Sequence, residues 1–221
     1  MGHKVHPRAF RLGVVTNWQS RWFARKNFKT MLREDLELRK YLLKRLAKAS
    51  VDRVDIERQG GADDIRVSVW SGKPGLIISR GGSGIEELSQ ELITKFFKRK
   101  LNLKIQVMEV REPNLSPQIT VQNIAADIEK RLPFRRVMKQ TIMRIKEAGA
   151  LGAKVCLSGR LNGAEIARIE KLGYGKVPLH TIRADVAYAR GVAQMTYGTI
   201  GIKVWIYRGD VFEEKKEAKK A

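Results

Sequence analysis

The sequence has almost no cysteine. Cys156 is the single one in 221 residues, so no internal disulfide can form, and three scattered histidines cannot complete a zinc set around it. That usage fits a reducing cytoplasm. Long apolar runs are missing too: no stretch of about 18 apolar residues occurs, which excludes a membrane-spanning helix. Residues 1–7 are not followed by an apolar segment, so no secretory signal is read there. His6 stands where a myristoylation signal needs serine or threonine. Neither glycine fingerprint of nucleotide binding is present, which argues against an ATP-driven motor. Gly173-Tyr174-Gly175-Lys176 comes nearest, with Glu170 and Val177 where the phosphate-loop pattern needs glycine and a hydroxyl residue.

Acidic residues are also scarce. There are 23 Asp and Glu against 44 Lys and Arg, a formal charge of +21. The hydrophobic share of 43% is that of a globular chain able to bury a core, so wholesale disorder is excluded. A compact body with this charge repels itself unless a polyanion neutralises it. Nucleic acid is the first such partner and an anionic membrane surface the second. The excess is uneven: residues 1–50 hold thirteen basic and three acidic side chains. Trp18, Trp22, Phe23 and Phe28 lie there among Arg21, Arg25, Lys26 and Lys29, an interleaving that suits stacking on RNA bases.

Residues 1–29 read as a basic, aromatic arm without periodicity. From about Thr30 the apolar spacing becomes helical, through Leu32, Leu36, Tyr41, Leu42, Leu43 and Leu46. Val54 and Ile56, then Ile65, Val67 and Val69, alternate with polar residues as two strands, joined by turn chemistry at residues 60–63. A short apolar turn at residues 74–78, a glycine-rich loop, a helix over 83–100 and a strand through Leu103, Ile105 and Val107 complete a unit of residues 30–113. Pro113 and Pro117 mark the boundary.

The second half, residues 114–211, predicts helices over 118–132 and 134–148, parted by Pro133. Three strands are expected over 153–160, 179–190 and 198–208. In the last, Ile200, Ile202, Val204 and Ile206 alternate with Gly201, Lys203, Trp205 and Tyr207; these two aromatics could stack on bases, but such residues more often pack on helices. Residues 212–221 read as a charged tail. The fold class is α+β, in two domains, the second with two helices and three strands.

The loop Ser79-Arg80-Gly81-Gly82-Ser83-Gly84 precedes a helix N-terminus. Its glycines allow close approach of a phosphodiester, as in a GxxG clamp, although the same pattern also makes a tight helix–helix turn. Ser83 with Glu86 three residues on reads as a capping box. In the helix at 134–148, Phe134, Val137, Met138, Thr141, Ile142 and Ile145 form an apolar stripe. Arg135, Arg136 and Lys139 lie off it. Residues 130–146 carry seven basic groups and no acidic one, which describes either a solvated face or a polyanion-binding one. His180 could serve as a general base, but no nucleophile or paired carboxylate stands at a recognisable spacing from it. Cys156 reads as a small sheet residue and Asp63-Asp64 as turn chemistry.

The order of elements and the loop resemble a type II KH domain. Met1-Gly2-His3-Lys4-Val5-His6-Pro7, Lys73-Pro74-Gly75-Leu76-Ile77-Ile78, Phe134-Arg135-Arg136-Val137-Met138-Lys139, Ser158-Gly159-Arg160-Leu161-Asn162-Gly163, Val177-Pro178-Leu179-His180-Thr181 and Tyr197-Gly198-Thr199-Ile200-Gly201 resemble blocks of one KH family in order. That family is small-subunit ribosomal protein three of the bacterial type. The resemblance implies a protein of the ribosomal head that binds 16S-type rRNA, lines the mRNA entrance channel and aids passive unwinding of message. Neighbours would be ribosomal proteins ten and fourteen, with four and five sharing the entrance. It implies no cofactor, metal, membrane or small-molecule substrate, and no catalysis. The channel residues would be Arg135, Arg136 and Lys139, and the KH loop Ser79, Arg80, Gly81 and Gly82. The rRNA contacts would include Lys4, His6, Arg8, Arg11, Arg21, Arg160, Arg168, His180 and Arg183. One departure stands out: the family usually has glycine first in this loop with two lysines inside, whereas here the residues are Ser79 and Arg80 before Gly81-Gly82. Two other readings are a free-standing KH regulator and a nucleic-acid lyase or nuclease.

Overall fold

The computed structural model describes residues 4–59, 64–79, 82–97 and 101–211. Contacts divide the chain into residues 18–113 and a second unit of residues 1–17 with 114–221. The arm expected over 1–29 is therefore not one element. Its first part folds with the C-terminal half and its last part with the KH half.

In the unit of residues 18–113, helix α2 (Phe28–Arg45) buries Met31, Leu38 and Leu42 on one face. Lys44 and Arg45 lie in its last turn, where cations meet the negative end of the helix dipole. Strand β2 (Val51–Gln59) pairs antiparallel with β3 (Asp64–Ser71), and β3 pairs parallel with β4 (Asn102–Glu109). Val54, Ile56, Ile65, Val67 and Val69 fill the core with Leu88 and Leu92. Those leucines come from α4 (Ser83–Leu92), which follows the short helix α3 (Gly75–Ile78). The helix expected over 83–100 is α-helical only to Leu92, and Ile93–Phe97 widen into a π turn. Residues 98–100 and the expected turn at 60–63 lie outside the described residues.

One strand was not expected. Ser20–Arg21 (β1) pairs parallel with β2, giving a sheet ordered β1-β2-β3-β4. A buried polar cluster holds the segment just after it. Arg58 and Asp35 are both almost fully buried and pair at 2.6 Å, while Trp22 donates its indole N–H to the other oxygen of Asp35 at 2.7 Å. Glu34 caps the cluster at 3.0 Å from Arg58. Buried charges persist only when paired and hydrogen-bonded, and this group satisfies both conditions. Trp22 is thus a structural donor inside the fold and not a base-stacking residue of a free arm.

In the other unit, α5 (Pro117–Glu129) starts with Ser116 as N-cap, its hydroxyl accepting the Ile119 N–H at 3.3 Å, and Pro117 at the first helical position. It ends in a Schellman arrangement: the Leu132 N–H reaches the Asp127 carbonyl and the Arg131 N–H that of Ile128. Arg131 takes the left-handed conformation at φ 62. Helix α6 (Phe134–Glu147) ends in the same way at Gly149, φ 86. Both helices lie against a four-stranded antiparallel sheet ordered β6-β5-β8-β7, from β5 (Gly152–Gly159), β6 (Arg168–Gly175), β7 (Ala184–Met195) and β8 (Gly198–Asp210). The core runs through Ile124, Val137, Ile145, Val155, Leu157, Ile202, Val204 and Ile206.

The C-terminal domain therefore has four strands and not three. β6 escapes sequence reading because Arg168, Glu170 and Lys171 interrupt the apolar alternation and Gly173 and Gly175 weaken it. It is an edge strand, and half of its residues face solvent. The strand expected over 179–190 begins later, at Ala184, because residues 178–181 are held as a loop. α+β remains the class.

Candidate nucleic-acid interface

Helix α6 presents the basic face most plainly. Phe134, Val137, Met138, Thr141, Ile142 and Ile145 are buried at helical spacing, which fixes the rotation of the helix. Arg135, Arg136 and Lys139 are consequently exposed. Arg136 and Lys139 have no carboxylate within 4.0 Å among the described residues. Arg135 has Glu170 at 3.9 Å, but its side chain is 74% exposed, so water and salt screen the pair. Arg135 and Arg136 also sit in the first turn, at the positive end of the helix dipole, where no acidic residue balances them. Cations there cost about 0.3–1 kcal/mol each. The helix carries them against its own electrostatics, a local conflict of the kind expected at functional sites.

The glycine loop is built differently from its sequence pattern. Ser79 ends α3 with φ 58 and ψ −172, a region occupied almost only by glycine. The glycine that the resemblance implies at this place would meet this backbone requirement freely, whereas serine meets it under strain. Gly84 packs against the end of α3, where an added Cβ would come within 2.5 Å of the Ile77 carbonyl oxygen. That contact sets how closely α3 and α4 approach. The capping box is not formed in the expected register: Gly82, φ 86, is the N-cap and Ser83 is already the first helical residue. Arg80 and Gly81 lie outside the described residues. Ser79→Gly should stabilise this unit by about 1 kcal/mol, since relief of about 1–3 kcal/mol of strain exceeds the entropic cost of glycine. Urea unfolding monitored by hydrogen exchange at β2 and β3 checks the sign; destabilisation would contradict it.

The other sequence candidates fall into different environments. His6 caps the short helix α1 (Pro7–Phe10), its Nδ1 accepting the Ala9 N–H, and its ring meets Tyr188 edge-on at 4.8 Å. Burial, then Arg8 and Arg190, hold its pKa below the ordinary histidine value. Lys4 and His6 are exposed and Arg8 half-buried. Arg11 is not at the surface at all. It is fully buried, and its guanidinium donates to the carbonyls of Pro7, Pro178, Leu179 and Thr181 at 2.7–3.2 Å. An RNA contact is excluded for this side chain, because its terminal N–H groups hold Pro7 and residues 178–181 and the side chain is shut off from the surface. His180, on that loop, is exposed.

Arg160 donates to the Ala164 and Tyr197 carbonyls and tethers its own loop. Arg168 is exposed on β6. Arg183 is 65% exposed and pairs with Asp210 at 3.0 Å. Hydrogen bonds from Tyr207 and Arg183 hold Asp210 below the usual carboxylate range. Arg21, with Glu57 at 3.3 Å, belongs to the other unit together with Ser79 and Gly82.

Trp205 and Tyr207 do not pack on the helices. They stand on the opposite face of the sheet, because the alternate residues Val204 and Ile206 are the buried ones. Sequence reading also passed over Arg190 and Lys171, which only the strand register brings into one row with Lys203. Among the described residues, no group of three or more His, Cys, Asp or Glu could hold a metal ion, and no helix is long and apolar enough to cross a membrane.

A helix–strand–strand–helix–helix–strand unit followed by a basic two-helix, four-stranded unit defines a KH-domain protein with an appended α+β domain. Comparison with known families agrees. Residues 37–115 match the KH domain, and residues 124–206 match the ribosomal protein S3 C-terminal domain. The chain is 46% identical over 220 residues to small ribosomal subunit protein uS3 of Syntrophomonas wolfei, covering 100% of this chain and 95% of that protein. Against uS3 of Pediococcus pentosaceus it is 46% identical over 220 residues, covering 100% and 96%. Against that of Desulfitobacterium hafniense it is 45% identical over 218 residues, covering 99% and 97%. The chain belongs to the uS3 family of small ribosomal subunit proteins.

Proposed function

We propose that this protein is a structural constituent of the small ribosomal subunit in the cytoplasm, bound to 16S-type rRNA in the head. In this reading α6 forms part of the wall of the mRNA entrance channel. The carrying observation is Arg135, Arg136 and Lys139: exposed and held in place by a buried stripe, with Arg135 and Arg136 in the first turn, where the helix dipole disfavours them. Three such cations grip phosphates of separated strands and favour the open form of a structured message without covalent chemistry. Lys4, Arg8, Arg168 and His180 are the exposed or half-exposed groups proposed to meet rRNA phosphate on the same unit, together with Arg183, which is exposed while paired with Asp210. On the KH unit Arg21, Ser79 and Gly82 are the corresponding exposed or half-exposed groups, and Arg80 and Gly81 of the same loop lie outside the described residues. The neighbours proposed are ribosomal proteins ten and fourteen, with four and five across the entrance. No cofactor takes part and the role is not enzymatic.

Sucrose-gradient sedimentation of a cell extract tests the assembly claim. The protein should co-migrate with small subunits and be nearly absent from the top fractions. A free-standing regulator would remain at the top, and that result would overturn this reading.

A further inference from the structure

The second sheet has one face covered by α5 and α6 and one face turned away from them. Register shows what the outer face carries. Lys171 on β6, Cys156 on β5, Lys203 on β8 and Arg190 on β7 are successive partners in one row across all four strands. The neighbouring row on the same face runs Gly173, Lys154, Trp205 and Tyr188. Lys171, Lys203 and Arg190 are exposed, and Cys156 is covered between the two lysines. Lys154 lies 5.7 Å from the Trp205 ring centre, and Trp205 packs on Tyr188 at 5.1 Å.

No aspartate or glutamate occupies an outward position on these strands between 152 and 158, 169 and 175, 188 and 192, or 201 and 207. None of the four cations has a carboxylate within 4.0 Å among the described residues. At the far end of the face, Asp210 is already engaged by Tyr207 and Arg183. α1 lies against β7 and adds Arg8 beside His6. Adjacent strands are spaced about 4.8 Å apart, so the row of cations spans the sheet as a line of positive charge with no carboxylate within 4.0 Å among the described residues.

We propose that this outer sheet face is a docking platform for the phosphodiester backbone of rRNA, distinct from the α6 face. The cross-strand row of Lys171, Lys203 and Arg190 supplies its phosphate contacts. The occupant follows from charge: a protein surface contributing several carboxylates could neutralise the row locally, but only a polyanion matches a line of cations on a chain of net charge +21. The Trp205–Tyr188 pair and Lys154 give that face a half-buried aromatic floor beside the row, the arrangement in which four-stranded sheets with helices behind them hold RNA.

The inference rests on the reading of the chain as an rRNA-binding protein, and one titration separates the two. Full-length protein is titrated with a transcript of the 16S-type head domain and with an unrelated RNA of equal length, over a series of salt concentrations. The variant Lys171→Gln, Arg190→Gln, Lys203→Gln should bind the head transcript at least about tenfold more weakly. Its slope of log affinity against log salt should be shallower by about 2–3, near 0.7–0.9 for each of three lost phosphate contacts. The charge-keeping variant Lys171→Arg, Arg190→Lys, Lys203→Arg should bind as wild type, which excludes misfolding as the cause. Wild-type affinity and slope in the neutralised variant would overturn the platform while leaving rRNA binding intact. Equal binding of both RNAs by the wild type would overturn the rRNA reading and the platform with it. A neutralised variant that binds RNA normally yet is lost from small subunits would assign the face to a protein instead.

Discussion

Arg11→Ala should destabilise the unit of residues 114–211 by about 3 kcal/mol or more, the scale set by losing several charge-assisted hydrogen bonds from a buried site. Arg11 is fully buried and ties Pro7, on α1, to Pro178, Leu179 and Thr181, on the loop before β7. Truncation removes the donors and leaves four carbonyl oxygens without them. It also opens a cavity where the guanidinium lay. Lysine should rescue little, because one ammonium cannot reproduce a planar fork that serves acceptors on two sides. Arg8→Ala, three residues away and half-buried, is the control and should stay within about 0.5 kcal/mol of wild type. Hydrogen exchange at β5 and β8 amides in urea reports this unit alone. A loss below about 1 kcal/mol would refute the clamp.

The clamp bears on function through position. The loop it holds carries the exposed His180 and leads to Arg183 at the surface. In the proposed function Arg11 acts on RNA contacts only through the shape of that loop. Sequence reading assigned the opposite role, and the reason is general. A basic residue near a basic N-terminus reads as solvated, and only tertiary structure can bring three carbonyls from residues about 170 positions away onto it. Trp22 was misread for the same reason, since its partner Asp35 lies on α2 and becomes buried only when Arg58 of β2 closes over it.

Other features were legible. The stripe of α6 has a clean helical period and faces a single core, so its buried and exposed residues follow from spacing alone. β8 alternates strictly because its two faces differ so sharply in environment. The alternation did not say which environment the outer face meets, and Trp205 was expected on helices that lie on the other side. β6 and the two-residue β1 carry too little apolar pattern to be seen. They exist because a neighbouring strand offers unpaired backbone groups. The strain at Ser79 was visible only as a departure from glycine, and the backbone angle supplies its physical meaning.

The central claim is that the exposed cations of α6 act on message as it enters the subunit. Each is an exposed charge contact worth about 0.5 kcal/mol, so removing three costs about 1.5 kcal/mol, or a factor of about ten. Ribosomes carrying Arg135→Ala, Arg136→Ala and Lys139→Ala should differ from wild type only where strand separation limits the rate. The buried stripe is untouched by these substitutions, so the helix keeps its fold. The decisive measurement compares elongation on two messages of equal length, one with a stable hairpin in the reading path and one without structure. Elongation through the hairpin should slow by about tenfold, with the unstructured message read at the wild-type rate. Equal slowing on both messages, or no slowing on either, would contradict it.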